Sequence, residues 1–215
     1  MSQEEAHTQD RIKEKARTLF FQKGLLNATT QEIADEAGVN RALIHYYFRS
    51  REQMLELILD ETLLEKKVRV RTILAAELPF RERIARYIDA VVDYGLTYPY
   101  LDNFIISETA RNPDKIREFC SNDPVKSSDL IRKDLNLEIK KGNLAPISAE
   151  HFMVNVAAMC NYPLLAKPVL MAIHGLTESS YRKFLQERKK IIFMTIFNEE
   201  MPDITNKVQA TKGRA

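Results

Sequence analysis

Residues Thr29–Arg51, TTQEIADEAGVNRALIHYYFRSR, constrain the fold of this chain more than any other stretch, because two short helical patterns are joined there by a glycine-containing turn. Thr29 followed by Glu32 makes a capping box, in which the Thr29 hydroxyl accepts from the Glu32 amide and the Glu32 carboxylate reaches back to the start of the helix. A helix therefore begins near Thr30. Ile33, Ala34 and Ala37 supply its narrow inward face, and Gly38 stands where a helix ends on a residue of positive φ. After the turn at Gly38 and Val39, Asn40 caps a second helix from Arg41 to Phe48. On that helix Leu43, Ile44, Tyr47 and Phe48 cluster at roughly 100° per residue, and Arg41, Ala42, His45 and Tyr46 face the other way. The pattern is a helix-turn-helix.

One Arg, one His, one Tyr and a small residue on an outward face suit groove contact better than solvation. Arg can pair bidentately with guanine, Tyr and His can reach phosphates or base edges, and Ala42 lets the helix sit close. Arg49 and Arg51 put cations where the next helix begins, which the helix macrodipole disfavours and a phosphate partner would offset. The bland alternative is a helical hairpin with a solvated polar face. Local charge favours the first reading: residues 40–51 hold three Arg and no acid, whereas residues 24–39 hold three acids and no Lys or Arg. Global charge says nothing, since 32 basic residues against 30 acidic leave only +2.

Ile12, Ala16, Leu19 and Phe20 mark an amphipathic helix ending at Gly24, upstream of the motif. From about Asp10 to Leu55 the chain resembles the DNA-binding domain of TetR/AcrR-type transcriptional regulators. The resemblance rests on Thr29 and Thr30 at the second helix start, the Ile33–Ala34 pair, the Ala37–Val39 turn, the Tyr46–Phe48 aromatic cluster, and the basic-Ser-basic-Glu run Arg49–Glu52. His45 stands where Tyr is usual, and Ala42 where Gly or Ser is common. The resemblance implies an all-α protein, with an N-terminal three-helix helix-turn-helix DNA-binding domain over residues 1–51. A helical effector-binding and dimerisation domain would span 52–201, and a polar, frayed tail 202–215. The implied DNA-contacting set is Thr30, Asn40, Arg41, Ala42, His45, Tyr46, Tyr47 and Arg51, with Thr30, Tyr47 and Arg51 on phosphates and the outward face of the Arg41–Phe48 helix on or near bases.

The rest of the chain carries 3.6-residue periodicity and almost no strand signal. Helices are expected from Arg51 to about Ala76, from Pro79 to before Pro99, around Asp102–Arg111 and Pro113–Ser121, and after Pro124 to Gly142. Ser148 caps a further helix through Phe152, Val156 and Met159, with Pro163 and Pro168 kinking or breaking it before Gly175. A final helix starts at Thr177 or Glu178 and ends near Glu199. Along it Tyr181, Phe184, Leu185, Arg188, Ile191, Ile192, Thr195 and Ile196 trace one face, while Phe193 and Phe197 add apolar surface outside it. In TetR-like proteins the last two helices pair with their two-fold mates, and a homodimer of that kind would cover the surplus. The basic run Arg182, Lys183, Arg188, Lys189 and Lys190 reads as a solvated face.

A double-stranded, palindromic DNA operator and a small-molecule effector are the partners implied, with the fourth helix relaying the effector's preference. Candidate effector-contacting residues are Tyr94, Tyr98, Phe104, Phe119, Phe152, Met159 and Tyr162, suited to an apolar or aromatic ligand, although for any one of them plain core packing is the favoured account. No cofactor or metal is expected, because Cys120 and Cys160 form no CxxC pair and the four His make no ligand-spaced cluster. The charged N-terminus and the lack of about 18 consecutive apolar residues argue against export or a membrane span, and point to the cytoplasm. An enzyme is disfavoured by the absence of a GxSxG elbow, a P-loop, HExxH or a glycine-rich dinucleotide turn among six Gly. A ligand-independent architectural DNA-binding dimer is the alternative function.

Overall fold

The computed structural model describes residues 3–111, 113 and 114, and 125–204. Among them the elements are α1 (Gln3–Arg17) followed by a π-helical turn (Thr18–Gln22), α2 (Thr30–Ala37), α3 (Arg41–Phe48), α4 (Arg51–Ala75), α5 (Phe80–Thr97) and α6 (Leu101–Arg111). Then come α7 (Ser127–Lys140), α8 (Ala149–Leu165), α9 (Lys167–His174) and α10 (Glu178–Phe197). No strand occurs among the described residues. The helix expected over 113–121 lies, beyond its first two residues, outside them.

The chain divides into two compact units, Met1–Val68 with Thr97–Arg111, and Arg69–Leu96 with Asn112–Ala215. A boundary at residue 51 falls inside the first unit, because Met54, Ile58 and Thr62 of α4 are fully buried there. In that unit α1 packs on α2 and α2 on α3. The π-helical turn widens the backbone so that three consecutive residues, Leu19, Phe20 and Phe21, are all buried. Periodicity at 3.6 had pointed inward with Leu19 and Phe20 alone. Phe21 also accepts a backbone hydrogen bond from the Tyr100 amide at 3.2 Å, and its ring lies 5.8 Å from Phe104. Lys13 pairs with Glu61 at 2.8 Å and Arg17 with Glu65 at 3.1 Å, fastening α1 to α4.

The second unit closes around aromatic rings at one end, with Phe80, Phe152, Phe193 and Phe197 between 4.7 and 6.3 Å apart at successive contacts. Phe193 and Phe197 are therefore core residues, contrary to the expected surplus. The residues left outside on α10 are Ile191 and Met194, about half exposed. Lys189 also departs from expectation: it is buried and pairs with Asp89 at 2.8 Å and Asp93 at 2.6 Å on α5. A cation at a core-facing position survives because those carboxylates replace its water. Arg83 is buried likewise, donating to the Leu74 carbonyl at 2.6 Å and pairing with Asp134.

Helix α8 continues past Pro163 to Leu165, and the break comes at Ala166, where α9 departs at 72°. Pro168 sits in the first turn of α9, where a missing amide costs nothing. The Tyr181 hydroxyl donates to the Pro163 carbonyl at 2.6 Å. Met201 and Ile204 pack on the core of this unit, so the stretch from Pro202 to Ile204 is anchored rather than frayed, and the rest of the expected tail lies outside the described residues.

Candidate nucleic-acid interface

The helix-turn-helix is built by local hydrogen bonds. Thr29 caps α2 reciprocally: its hydroxyl accepts from the Glu32 amide at 3.2 Å, and the Glu32 carboxylate accepts from the Thr29 amide at 2.7 Å. The Thr29 amide, and then the Thr29 hydroxyl, donate to the Glu32 carboxylate and hold it below its ordinary 4.5. Gly38 ends α2 at φ 62°, a left-handed conformation that a Cβ would strain, and its amide reaches back to Ala34 and Asp35. Asn40 caps α3 by accepting from the Ala42 amide at 2.8 Å. Both short helices thus start and stop where the side chains dictate.

The faces of α3 separate cleanly. Ile44 and Phe48 are buried and Leu43 and Tyr47 half-buried, whereas Arg41, Ala42, His45 and Tyr46 are exposed, Tyr46 at 69%. Thr30 and Arg41 come together, with the Arg41 Nε donating to the Thr30 hydroxyl at 3.1 Å, so one candidate phosphate residue steadies one candidate base-reading residue. The Tyr46 and Tyr47 rings meet edge-on at 5.0 Å. Desolvation, and then Glu5 and Tyr46, raise the Tyr47 hydroxyl above its ordinary 10.0. The Arg51 Nε donates to the Ala28 carbonyl at 2.8 Å and its guanidinium lies 5.9 Å from the centre of the Phe20 ring. Arg51 therefore braces the start of α4, besides offering its remaining N–H groups.

Arg49 carries a feature that composition does not reveal. It caps α3 at φ 60° and ψ −50°, a positive-φ conformation outside the left-handed helical well and near that of a strained γ-turn, which costs a side chain roughly 1–3 kcal/mol. His45 Nδ1 lies 3.3 Å from the Arg49 carbonyl, so in the Nδ1–H tautomer it donates there. An exposed cation is thus retained at a site where Gly would be more comfortable. Only the order of residues past Phe48, with no Gly available to end the helix, could have hinted at this.

The candidate effector residues do not gather in one place. Tyr98 and Phe104 belong to the first unit, where Phe104 packs on Phe21. Tyr94 and Phe152 are buried in the second unit, Tyr162 is 59% exposed there, and Phe119 lies outside the described residues. A cavity of about 540 Å³ opens in the second unit between the 144–147 connection, α8 and α10, and of the seven candidates only Phe152 and Met159 line it. Aromatic content alone could not find its loop wall or its two polar residues, Asn155 and Thr195.

A capped helix pair presenting Arg, His and Tyr on one exposed face defines a helix-turn-helix DNA-binding protein. The family model for bacterial regulatory proteins of the tetR family matches residues 12–58. The chain is 23% identical over 203 residues to the "Probable HTH-type transcriptional regulator YttP" of Bacillus subtilis, covering 93% of this chain and 98% of that protein. Over 58 residues it is 36% identical to the "HTH-type transcriptional repressor KstR2" of Mycolicibacterium smegmatis, covering 27% and 28% of the two chains. A crystal structure of a HlyIIR mutant protein shares the fold, with a TM-score of 0.55 at 20% identity over 91% of this chain and 98% of that one. Residues 12–58 are thus a DNA-binding domain of the tetR family of bacterial regulatory proteins, and over nearly its whole length the chain is similar to a transcriptional regulator.

Proposed function

We propose that this protein is a TetR-family repressor that binds a palindromic operator as a homodimer and leaves it when a small molecule binds the second unit. The observation that carries the DNA-binding half is the exposed face of α3, Arg41, Ala42, His45 and Tyr46, on a helix whose opposite face is buried. Bases are read from that face, with Arg41 on guanine as the most discriminating contact. Thr30, Asn40, Tyr47, Arg49 and Arg51 flank it, and their contacts to phosphate supply affinity that falls with salt.

Dimerisation through the last helices is supported by what is left uncovered in the second unit. Val154, Tyr162, Val169, Ile173, Ile191 and Met194, on α8, α9 and α10, are 45–68% exposed, an apolar surface that a second copy would cover. Two-fold symmetry then sets the operator: a recognition helix from each copy enters the major groove about 34 Å, or a small multiple of it, from its mate. The domain reading that follows is a DNA-binding head and a helical effector and dimerisation unit, acting in the cytoplasm. The effector acts by preferring the state whose heads are wrongly spaced, since equal affinity for both states would shift nothing. Selection of bound duplexes from a random pool tests the reading. Recovery of an inverted repeat supports it, and recovery of no shared sequence at low salt overturns it.

A further inference from the structure

We propose that the cavity between the 144–147 connection, α8 and α10 is the effector site, that its ligand is an uncharged and mostly apolar small molecule, and that a second copy of the chain closes its open side. The proposal rests on the dimeric repressor reading above and gives its effector a place and a chemistry. About 540 Å³ is within the range of small-molecule sites. The lining is apolar apart from two neutral polar side chains, Asn155 and Thr195, and contains no ionisable group. A charged ligand would lose its hydration there with nothing to replace it. The Thr195 hydroxyl already donates to the Ile191 carbonyl at 2.7 Å, so towards a ligand it can only accept, and the Asn155 amide can both donate and accept. The site thus fits a molecule with an apolar body and one hydroxyl or amide-like N–H.

The open side follows from helical spacing. Ala158 lines the cavity and stands four residues from both Val154 and Tyr162, in the same exposed stripe of α8. Thr195 lines it and stands four residues after the exposed Ile191 of α10. Cavity mouth and apolar stripe are therefore one continuous surface, and a copy covering the stripe covers the mouth. A ligand held there touches both copies, which gives it the unequal affinity for differently paired states that release from DNA requires.

The test uses the full chain and N-phenyl-1-naphthylamine, an uncharged apolar dye that brightens on leaving water and carries one N–H. Wild type is expected to bind one dye per subunit saturably. Ala145→Trp, which fills the cavity from the connection, and Asn155→Asp, which adds a carboxylate without changing size, are each expected to weaken binding at least about tenfold with dimer mass and helicity unchanged. Met194→Lys, outside the lining, is expected to yield monomers that bind the dye at least about tenfold more weakly. Wild-type dye affinity in both cavity variants, or no binding by wild type, overturns the site. Wild-type affinity in monomeric Met194→Lys, or a Met194→Lys protein that remains dimeric, overturns closure by the second copy. Operator binding is read on the same samples, so failure to bind DNA with dye binding intact sinks the repressor reading and not the cavity.

Discussion

In the first unit the one buried polar side chain among the described residues is Thr62, whose hydroxyl is satisfied by the Ile58 carbonyl one turn earlier, and charge stays on the surface. In the second, Arg83 and Lys189 are inside, tied to carboxylates, while Val154, Tyr162, Ile191 and Met194 stand outside. Each arrangement answers a different partner. A polyanion is met by exposed cations and hydrogen-bonding rings, whose worth depends on salt. Under the reading proposed above, a second copy and a neutral ligand would be met by apolar surface, while buried ion pairs fix how α5, α7 and α10 face one another rather than adding much stability.

The largest effect that could break this contrast comes from the second unit. Met194→Lys should lower operator affinity by about 100-fold or more, since two heads held together gain that much from effective concentration, with the fold of the head intact. Fluorescence anisotropy with the selected duplex reads it, and unchanged affinity would mean that the exposed α10 residues serve no pairing. Next, Gly95→Ala should destabilise the second unit by about 1–3 kcal/mol, because α5 passes so close to α8 that an added Cβ would fall 2.1 Å from Leu164 Cδ1. Thermal unfolding should shift down while operator sequence preference stays as it was. Arg41→Ala does the reverse, relaxing preference at one position of each half-site by about 1–3 kcal/mol. Competition between operator and single-site variants measures that loss.

Smaller effects sharpen the comparison within the head. Arg49→Gly should stabilise the protein by up to about 1 kcal/mol, by relieving the positive φ at that position, and yet reduce the salt slope of DNA binding by about one unit. Opposite signs in melting and in DNA titration would identify Arg49 as a strained residue kept for phosphate. The smallest effect is on pH. Glu32, held below its ordinary 4.5 by Thr29, stabilises the fold above that pH and loses the contribution as pH falls through its folded value. Glu150, held down to about 2 chiefly by Arg132, behaves in the same sense in the second unit, its contribution fading between about pH 4.5 and 2. Acid titrations of Glu32→Gln and Glu150→Gln, followed by circular dichroism, should each show a shallower loss of stability than wild type.

Legibility differed between the units for a physical reason. The bounds of α2 and α3, the capping box and the outward set on α3 all followed from residues within four positions of one another. Caps, left-handed glycines and helical faces are short-range chemistry. Even there the π-helical turn escaped, because the packing of three successive buried residues decides it. In the second unit Lys189 looked like the rest of its basic run until Asp89 and Asp93 met it across about a hundred residues of chain. Tyr98 and Phe104 lie close in sequence to Tyr94, yet belong to the other unit.

The order of residues alone determined an all-helical chain, the helix-turn-helix head with its exposed Arg, His and Tyr, and its likeness to a family of regulators, since each depends on spacings that a helix imposes by itself. Tertiary structure decided which cations went inside, which apolar residues stayed out, and where a cavity opened between a loop and two helices. Those outcomes depend on contacts between segments far apart in the chain, where a side chain's surroundings are set by the partner it meets and no local pattern records them.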